Sequence, residues 1–230
     1  MEIKHKKSLL LISVLVTVVV LLSMLLFASF LENGRKEYLN EEMSAVQSQI
    51  RELQTFDTMS DSFGPEMACL VAQRSLEELD ENIWDLGIRL ENYEQASSDL
   101  YDDPFYKEQK RMFNEQQIRY MSMIQQVENN CDVERTIVAY FYRNDSACDK
   151  CNDQSFVLGD LNEQYGEQLS MFAYDLDLNS TSLDLLAKYY GVDRVPCLVI
   201  EGETTCGMQG QRRVESRLCS VDSPPRFCYD

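Results

Sequence analysis

The sequence predicts an N-terminal transmembrane helix, then an antiparallel α-helical hairpin and finally an α/β domain. Three observations predict this order. An uncharged run of 23 residues extends from Leu9 to Leu31. Residues 65–131 contain two long stretches in which apolar side chains recur at spacings of three and four, the period of a helix packed on one face. From Thr136 onward, short apolar runs alternate with amphipathic ones, which is typical of strands and helices in one domain.

The uncharged run is long enough to cross a bilayer, because a helix rises about 1.5 Å per residue and the hydrocarbon core is roughly 30 Å thick. Three lysines precede it, and the apolar part of a cleaved signal peptide is shorter, about 7–15 residues. We therefore expect residues 9–31 to be a retained anchor. The favoured orientation has residues 1–8 in the cytoplasm and the rest of the chain outside.

Cysteine content and charge limit the functional classes. All eight cysteines lie after the anchor, and an even, dense set is typical of compartments where disulfides persist. The formal net charge of −18 speaks against nucleic acid and anionic membrane surfaces as partners. The single histidine, His5, lies before the anchor, which excludes a histidine-based catalytic pair outside the membrane.

Residues 32–131 are predicted to be helical, beginning with an apolar stripe that continues from the anchor. Its members are Leu39, Met43, Val46, Ile50 and Leu53. Two heptads are too few to establish a coiled coil, so packing within the chain and dimerisation of this juxtamembrane helix are both open. A break is expected at residues 57–64.

Two long amphipathic helices follow this break. The first begins with Pro65, which suits the first turn of a helix, and reaches about Tyr93. The second begins with Pro104, after the expected N-cap Asp103, and ends near Asn129. Because a polar stretch separates them, we expect an antiparallel hairpin.

Two cysteines would meet at the open end of this hairpin. With the turn centred on residue 100, Cys69 lies 31 residues before it and Cys131 lies 31 residues after it. Both fall on the apolar stripe that faces the other helix, so a Cys69–Cys131 disulfide is expected. The alternative is two buried free thiols, which pack well as small apolar groups.

The pair Cys148 and Cys151 provides the main functional hypothesis. It follows a strand predicted at Thr136–Tyr142 and precedes a helix predicted at Phe156–Tyr165. Two cysteines separated by two residues can close a small disulfide and reopen it, and the dipole at a helix N-terminus favours the thiolate. The pattern therefore favours dithiol–disulfide exchange, with Cys148 as the nucleophile and Cys151 as the resolving thiol.

The remaining pattern completes the α/β domain. Strands are predicted at residues 169–176, 195–200 and 204–208, and helices at residues 182–190 and 212–219. The predicted segments of the whole chain are a stub at 1–8, an anchor at 9–31, a helical region at 32–131, the α/β domain at 132–220 and a tail at 221–230.

This order, βαβ followed by αββα, with Cys-x-x-Cys after the first strand and Val195-Pro196 opening the third, resembles the thioredoxin-like superfamily over residues about 134–220. The resemblance implies a cis bond before Pro196, which would lie beside the two cysteines. It also implies that the backbone of Val195 pairs with an extended substrate. The partners would be protein thiols or disulfides, and no cofactor is predicted.

Three features depart from the family pattern. The residues between the cysteines are Asp149-Lys150 in place of the familiar Gly-Pro, and Ala147 stands where a tryptophan is often found. Tyr140 occupies the place where many members have a buried acid that assists proton transfer from the second cysteine.

The last four cysteines can be paired in the predicted hairpin and tail. If Glu201-Gly202 is a two-residue loop, Cys197 faces Cys206 across the two strands, and a bridge can form. Cys219 and Cys228 would then close the tail. The alternative is that Cys197 serves as a third redox thiol.

Other interpretations of the Cys148–Cys151 pair are open. The bridge can be purely structural, in a redox-inert module whose helical hairpin binds a partner. A zinc site would have Cys148, Cys151 and Cys197 but no nearby histidine as fourth ligand, so no metal is predicted. A glycan on the sequon that starts at Asn144 would crowd Cys148, and a second sequon starts at Asn179.

Overall fold

The structure, a computed structural model, describes residues 2–95, 103–131, 135–144, 147–166, 168–222 and 224–229. The chain forms two compact units, Met1–Glu42 and Met43–Asp230. The turn that the sequence places near residue 100 lies outside the described residues.

Helix α1, Glu2–Leu53, is continuous from the basic stub through the apolar run. Its apolar segment has a mean hydropathy of 2.8, and the side chains of residues 12–31 are exposed. In the part of the chain that the structure describes, this is the one helix long and apolar enough to cross a membrane. Length and composition thus make it a candidate membrane span.

The expected break at residues 57–64 is wrong, because a short helix, α2, occupies Phe56–Phe63. Phe56 is buried and fixes the start of the helix. The serines and aspartate that suggested a loop lie at exposed or half-exposed positions, where they do not oppose a helix. Gly64 ends it with φ of +91°, a conformation that a residue without Cβ adopts readily.

Helices α3, Pro65–Gln95, and α4, Pro104–Glu128, begin at the two prolines that the sequence indicated. The N-cap of α4 is Asp103, whose Oδ1 accepts a hydrogen bond from the Phe105 N–H at 2.9 Å. The two helices pack together, and the Tyr120 hydroxyl of α4 donates to the Leu76 carbonyl of α3 at 3.0 Å.

The apolar stripe of the second unit is buried within the chain. Its described members there are Met43, Val46, Ile50 and Leu53. A side-chain bond from Asn82 Nδ2 to Gln49 Oε1, at 3.0 Å, joins α3 to this part of α1. Because the stripe already packs inside one chain, its burial does not require a second copy.

The rest of the chain is a four-stranded mixed sheet with helices between the strands. The elements in chain order are β1 Thr136–Tyr142, α5 Cys151–Tyr165, β2 Leu169–Asp175, α6 Thr181–Tyr189, β3 Cys197–Ile200, β4 Glu203–Cys206, α7 Gln211–Leu218 and a 3₁₀ helix at Arg226–Tyr229. The strand order is β2-β1-β3-β4. Strand β1 is parallel to β2 and antiparallel to β3, and β3 is antiparallel to β4.

Helices cover both faces of this sheet. On one face, α5 and α7 pack on alternate strand residues in an apolar cluster that includes Val138, Tyr140, Leu158, Leu161, Leu198, Val214 and Leu218. On the other face, the ring of Tyr120 on α4 meets Phe172 of β2, and Phe141 of β1 meets Tyr190 at the end of α6. Alternation along β1 therefore separates the two faces.

A buried ionic cluster joins α3 to the edge of the sheet. Asp80 Oδ2 lies 2.7 Å from Arg135 Nη1, and the Ser170 hydroxyl donates to Asp80 Oδ1 at 3.1 Å. Burial raises the pKa of the Asp80 carboxyl from 3.8 to about 6, against the opposing effect of Arg135. The folded protein therefore binds the Asp80 proton more tightly than the unfolded chain does.

We expect the free energy of unfolding to fall as pH rises from about 4 to about 6, because the folded state then retains a proton that the unfolded chain has released. Asp80→Asn removes this titration and should flatten that part of the profile. Urea unfolding of both proteins across this range measures the difference, which isolates Asp80 from other buried carboxyls. Parallel profiles would contradict the assignment.

Candidate functional site

Cys148 and Cys151 form a disulfide between the end of β1 and the start of α5. The two Cα atoms are 5.5 Å apart, and the Cys151 N–H donates to the Cys148 carbonyl at 3.3 Å. The sequence pattern predicted Cys148 at the helix N-terminus and a helix over Phe156–Tyr165. In the structure α5 already begins at Cys151, with Lys150 as N-cap, so Cys148 lies in the turn before the helix.

Cys148 is slightly more accessible to solvent than Cys151. Cys148 is 7 % exposed and Cys151 is 2 % exposed. A partner that approaches from solvent therefore meets Cys148 first. Both values are low, so little of the bridge is accessible to solvent.

Lys150, between the two cysteines, forms a hydrogen bond with an acidic residue of α5. Lys150 Nζ donates to Asp153 Oδ2 at 2.8 Å, and this hydrogen bond is the largest cause of the raised pKa of Lys150. Asp153 lies in the first turn of α5. The lysine charge is thus directed toward the helix rather than toward Asp149. The pair is exposed, so it contributes little to stability.

Tyr140 holds the start of α5 against the sheet. Its hydroxyl donates to the Cys151 carbonyl at 2.7 Å, and its ring stacks on Tyr142 with centroids 5.2 Å apart. Where many thioredoxin-like proteins have a buried acid, this chain therefore has a phenol that binds the backbone of the second cysteine.

The bond between Val195 and Pro196 is cis, as the resemblance implied. Pro196 is buried, and the next residue, Cys197, lies directly opposite Phe141 near the end of β1. Because the loop containing Cys148 follows the same end of β1, the cis bond and the disulfide lie at one end of the sheet. No described residue hydrogen-bonds to the backbone of Val195.

Cys197 and Cys206 form a cross-strand disulfide, in the register expected from the two-residue loop. Cys197 pairs with Phe141, so both side chains lie on the face covered by α4 and α6. Tyr140 and α5 lie on the other face. A zinc site or a third redox thiol that uses Cys197 beside Cys148 does not fit this arrangement.

Of the other two disulfides, one lies in the region of the two long helices and the other joins the tail to α7. Cys69–Cys131 links α3 to the residues after α4, and Cys219–Cys228 closes the tail on the end of α7. The tail also packs on the fold, because Phe227 stacks on Tyr165 at 3.9 Å between centroids.

Acidic residues that the sequence pattern did not indicate hold Asn144, just after β1. Asp177 Oδ2 accepts the Asn144 N–H at 2.9 Å, and Asp175 Oδ1 accepts the Asp177 N–H. Asp175 in turn pairs with Lys110 of α4 at 3.2 Å, while its burial raises its pKa. The only sequence signal was an acid at the end of a buried strand.

The two sequons differ in their surroundings. Asn179 is exposed in the loop before α6. Asn144 is half-buried, and the other residues of its sequon, 145 and 146, lie outside the described part of the chain.

No protein-family model and no curated protein matches this chain. Solved structures of thioredoxins are similar to part of it. Thioredoxin-2, described as a component of the malaria parasite protein secretion machinery, is 21 % identical and matches 38 % of this chain and 84 % of that one, with a TM-score of 0.33. The germline-specific thioredoxin Deadhead of Drosophila melanogaster is 18 % identical over 44 % of this chain and 94 % of that one, also with a TM-score of 0.33.

A malarial protein is 22 % identical over 36 % of this chain and 91 % of that one, with a TM-score of 0.31. Independently of these comparisons, the sheet domain has the strand order β2-β1-β3-β4, a cysteine pair after β1 and a cis bond before Pro196.

We expect Tyr140→Phe to lower the free energy of unfolding by about 1 kcal/mol, because one buried hydrogen bond is lost while the ring packing is kept. Chemical unfolding of the oxidised protein measures this. Tyr165→Phe is a matched control, since the Tyr165 ring stacks on Phe227 and no hydrogen bond of its hydroxyl is found among the described residues. Equal effects of the two changes would contradict the role given to the Tyr140 hydroxyl.

Proposed function

We propose that this chain is a membrane-anchored thiol–disulfide oxidoreductase that exchanges disulfides with protein substrates through Cys148 and Cys151. The observation that carries the proposal is the Cys148–Cys151 bridge at the same end of the sheet as the cis bond before Pro196. The greater exposure of Cys148 supports its assignment as the nucleophile.

The exchange uses only the two thiols and the substrate disulfide. In the dithiol form, the Cys148 thiolate attacks one substrate sulfur, so a mixed disulfide forms and the substrate S–S bond breaks. The other substrate sulfur leaves as a thiolate and takes up a proton. The Cys151 thiol then gives up its proton and attacks Cys148 Sγ, which restores the internal bridge and releases the substrate sulfur that was bound to Cys148 as a second thiol. Two electrons pass to the substrate, and the reverse sequence oxidises a substrate dithiol.

The segment before the cis bond would bind the substrate backbone. Val195 is half-buried, and no described residue hydrogen-bonds to its N–H or C=O. An extended peptide beside Val195 could therefore pair with it while presenting its disulfide to Cys148. This role was implied by the thioredoxin-like resemblance and is part of the proposal.

The proposed topology has residues 9–31 in the membrane, the N-terminus in the cytoplasm and the sheet domain outside. The four disulfides support this side, because all of them lie after the anchor and such bonds persist in oxidising compartments. We also propose that α3 and α4 form an antiparallel hairpin that Cys69–Cys131 closes at its open end.

The second candidate is a redox-inert thioredoxin-like module whose helical hairpin binds a partner. Two observations favour it: the low exposure of both cysteines, and a tyrosine in place of the acid that would assist proton transfer from Cys151. Homodimerisation through the juxtamembrane helix is a separate proposal and does not decide between the two.

Cys151→Ser should trap the exchange at the mixed disulfide, because the resolving thiol is absent. We expect covalent complexes between Cys148 and cellular proteins on non-reducing gels, released by dithiothreitol and identified by mass spectrometry. The double change Cys148→Ser, Cys151→Ser is the control and should give none. Absence of complexes from Cys151→Ser, together with resistance of Cys148 to alkylation, would favour the redox-inert module.

The reduction potential of the Cys148–Cys151 bridge should separate the two candidates. A working site is expected to have a potential above about −300 mV, whereas a structural bridge lies below that value. Equilibration of the full chain with glutathione or dithiothreitol redox buffers, followed by quantification of modified cysteines, gives the value. A potential below this limit would contradict the oxidoreductase.

A further inference from the structure

A pair of buried glutamines connects the cysteine helix to the loop before α7. Gln154 lies one turn after Cys151 on α5 and is 0 % exposed, and Gln209, between β4 and α7, is 4 % exposed. Burying an amide side chain without hydrogen-bond partners is unfavourable, so two buried glutamines in one place require a specific arrangement.

The Gln154 side chain forms hydrogen bonds with both the N–H and the carbonyl of Gln209. The Gln209 N–H donates to Gln154 Oε1 at 2.7 Å, and Gln154 Nε2 donates to the Gln209 carbonyl at 3.2 Å. Two bonds to one residue fix the orientation of the loop as well as its distance from α5.

The same contacts continue to the cis bond. Gln209 Nε2 donates to the Gly207 carbonyl at 3.0 Å, and the Gly207 N–H donates to the Pro196 carbonyl at 2.7 Å. Gly207 has φ of +98°, which favours glycine at this position. Hydrogen bonds made by Gln209 and Gly207 thus connect Gln154, near the start of α5, to Pro196.

We propose that Gln154 is a positioning residue that sets the spacing between the Cys148–Cys151 bridge and the Val195–Pro196 segment. This inference rests on the proposed function, in which a substrate must reach Cys148 while its backbone pairs with Val195. A protein disulfide has to satisfy both conditions at once, whereas a small-molecule disulfide has only to reach the Cys148 sulfur. The rate with a protein substrate should therefore depend on Gln154 more strongly.

The test compares two disulfides with the full-length reduced protein and its Gln154→Leu variant. The probes are scrambled, disulfide-bonded ribonuclease and 5,5′-dithiobis(2-nitrobenzoic acid). We expect the second-order rate constant to fall about tenfold for the protein disulfide and by less than about twofold for the small one. Equal losses for both probes, or no loss for either, would overturn the positioning role.

Thr204→Val is the control for a general loss of stability. It removes a partly buried hydrogen bond, 2.7 Å long, from the Thr204 hydroxyl to the Tyr190 carbonyl. Thr204 lies near the start of β4, whereas Gly207 follows its end. This variant should leave the ratio of the two rate constants unchanged. The same selective loss in Thr204→Val would show that Gln154 acts only through stability.

Gln209→Ala provides a second route if Gln154→Leu does not fold. It keeps the two backbone bonds of Gln154 but removes the bond to the Gly207 carbonyl. We expect the same selective loss of the protein rate, about threefold, because part of the connection remains. An unchanged ratio in this variant would overturn the proposal.

Amide hydrogen exchange at Gly207 tests the connection without any redox reaction. Gln154→Leu should increase the exchange rate of this N–H about tenfold, because the loop that holds it against Pro196 loses its bonds to α5. If the wild-type protein reacts with neither disulfide, the oxidoreductase proposal fails. The exchange measurement then decides the structural link alone, and unchanged exchange at Gly207 would overturn it.

Discussion

The pairing of β1 with a parallel strand on one side and an antiparallel strand on the other is the constraint on which the site depends. The parallel partner β2 requires the crossover through α5, which brings the cysteine turn to the end of β1. The antiparallel partner β3 begins where β1 ends, so Phe141 faces Cys197 and the cis bond lies at the same end. Two segments distant in sequence thus lie at the same end of the sheet.

The disulfides and the buried polar contacts stabilise the structure in different ways. Bridges attach the tail to the end of α7 and join Cys69 to Cys131, residues separated by 62 positions. Polar contacts join α3 to Arg135 just before β1, through Asp80, and α5 to the loop before α7, through Gln154 and Gln209. Apolar packing supplies most of the driving force but does not fix direction, so these few polar contacts determine how the elements are oriented.

Local sequence signals predicted most of the elements but not the contacts between them. A short apolar run predicted β1 with the limits that the structure has, and Pro65 and Pro104 marked the helix starts. The start of α5 was missed, because Asn152 and Asp153 carry no apolar period and tertiary bonds from Tyr140 and Gln154 hold that turn. Such bonds join residues far apart in sequence, and a single sequence contains no local trace of them.

The attachment of α5 at its two extremities has a consequence for the opening of the bridge. Tyr140 secures its first residue, and Phe227 packs on its last, Tyr165. The helix behind the bridge is therefore held at both ends by contacts that do not involve the Cys148–Cys151 sulfur–sulfur bond. In the exchange that we propose, opening the bridge would leave this helix in place, so the oxidised and dithiol states would present nearly the same surface to a partner.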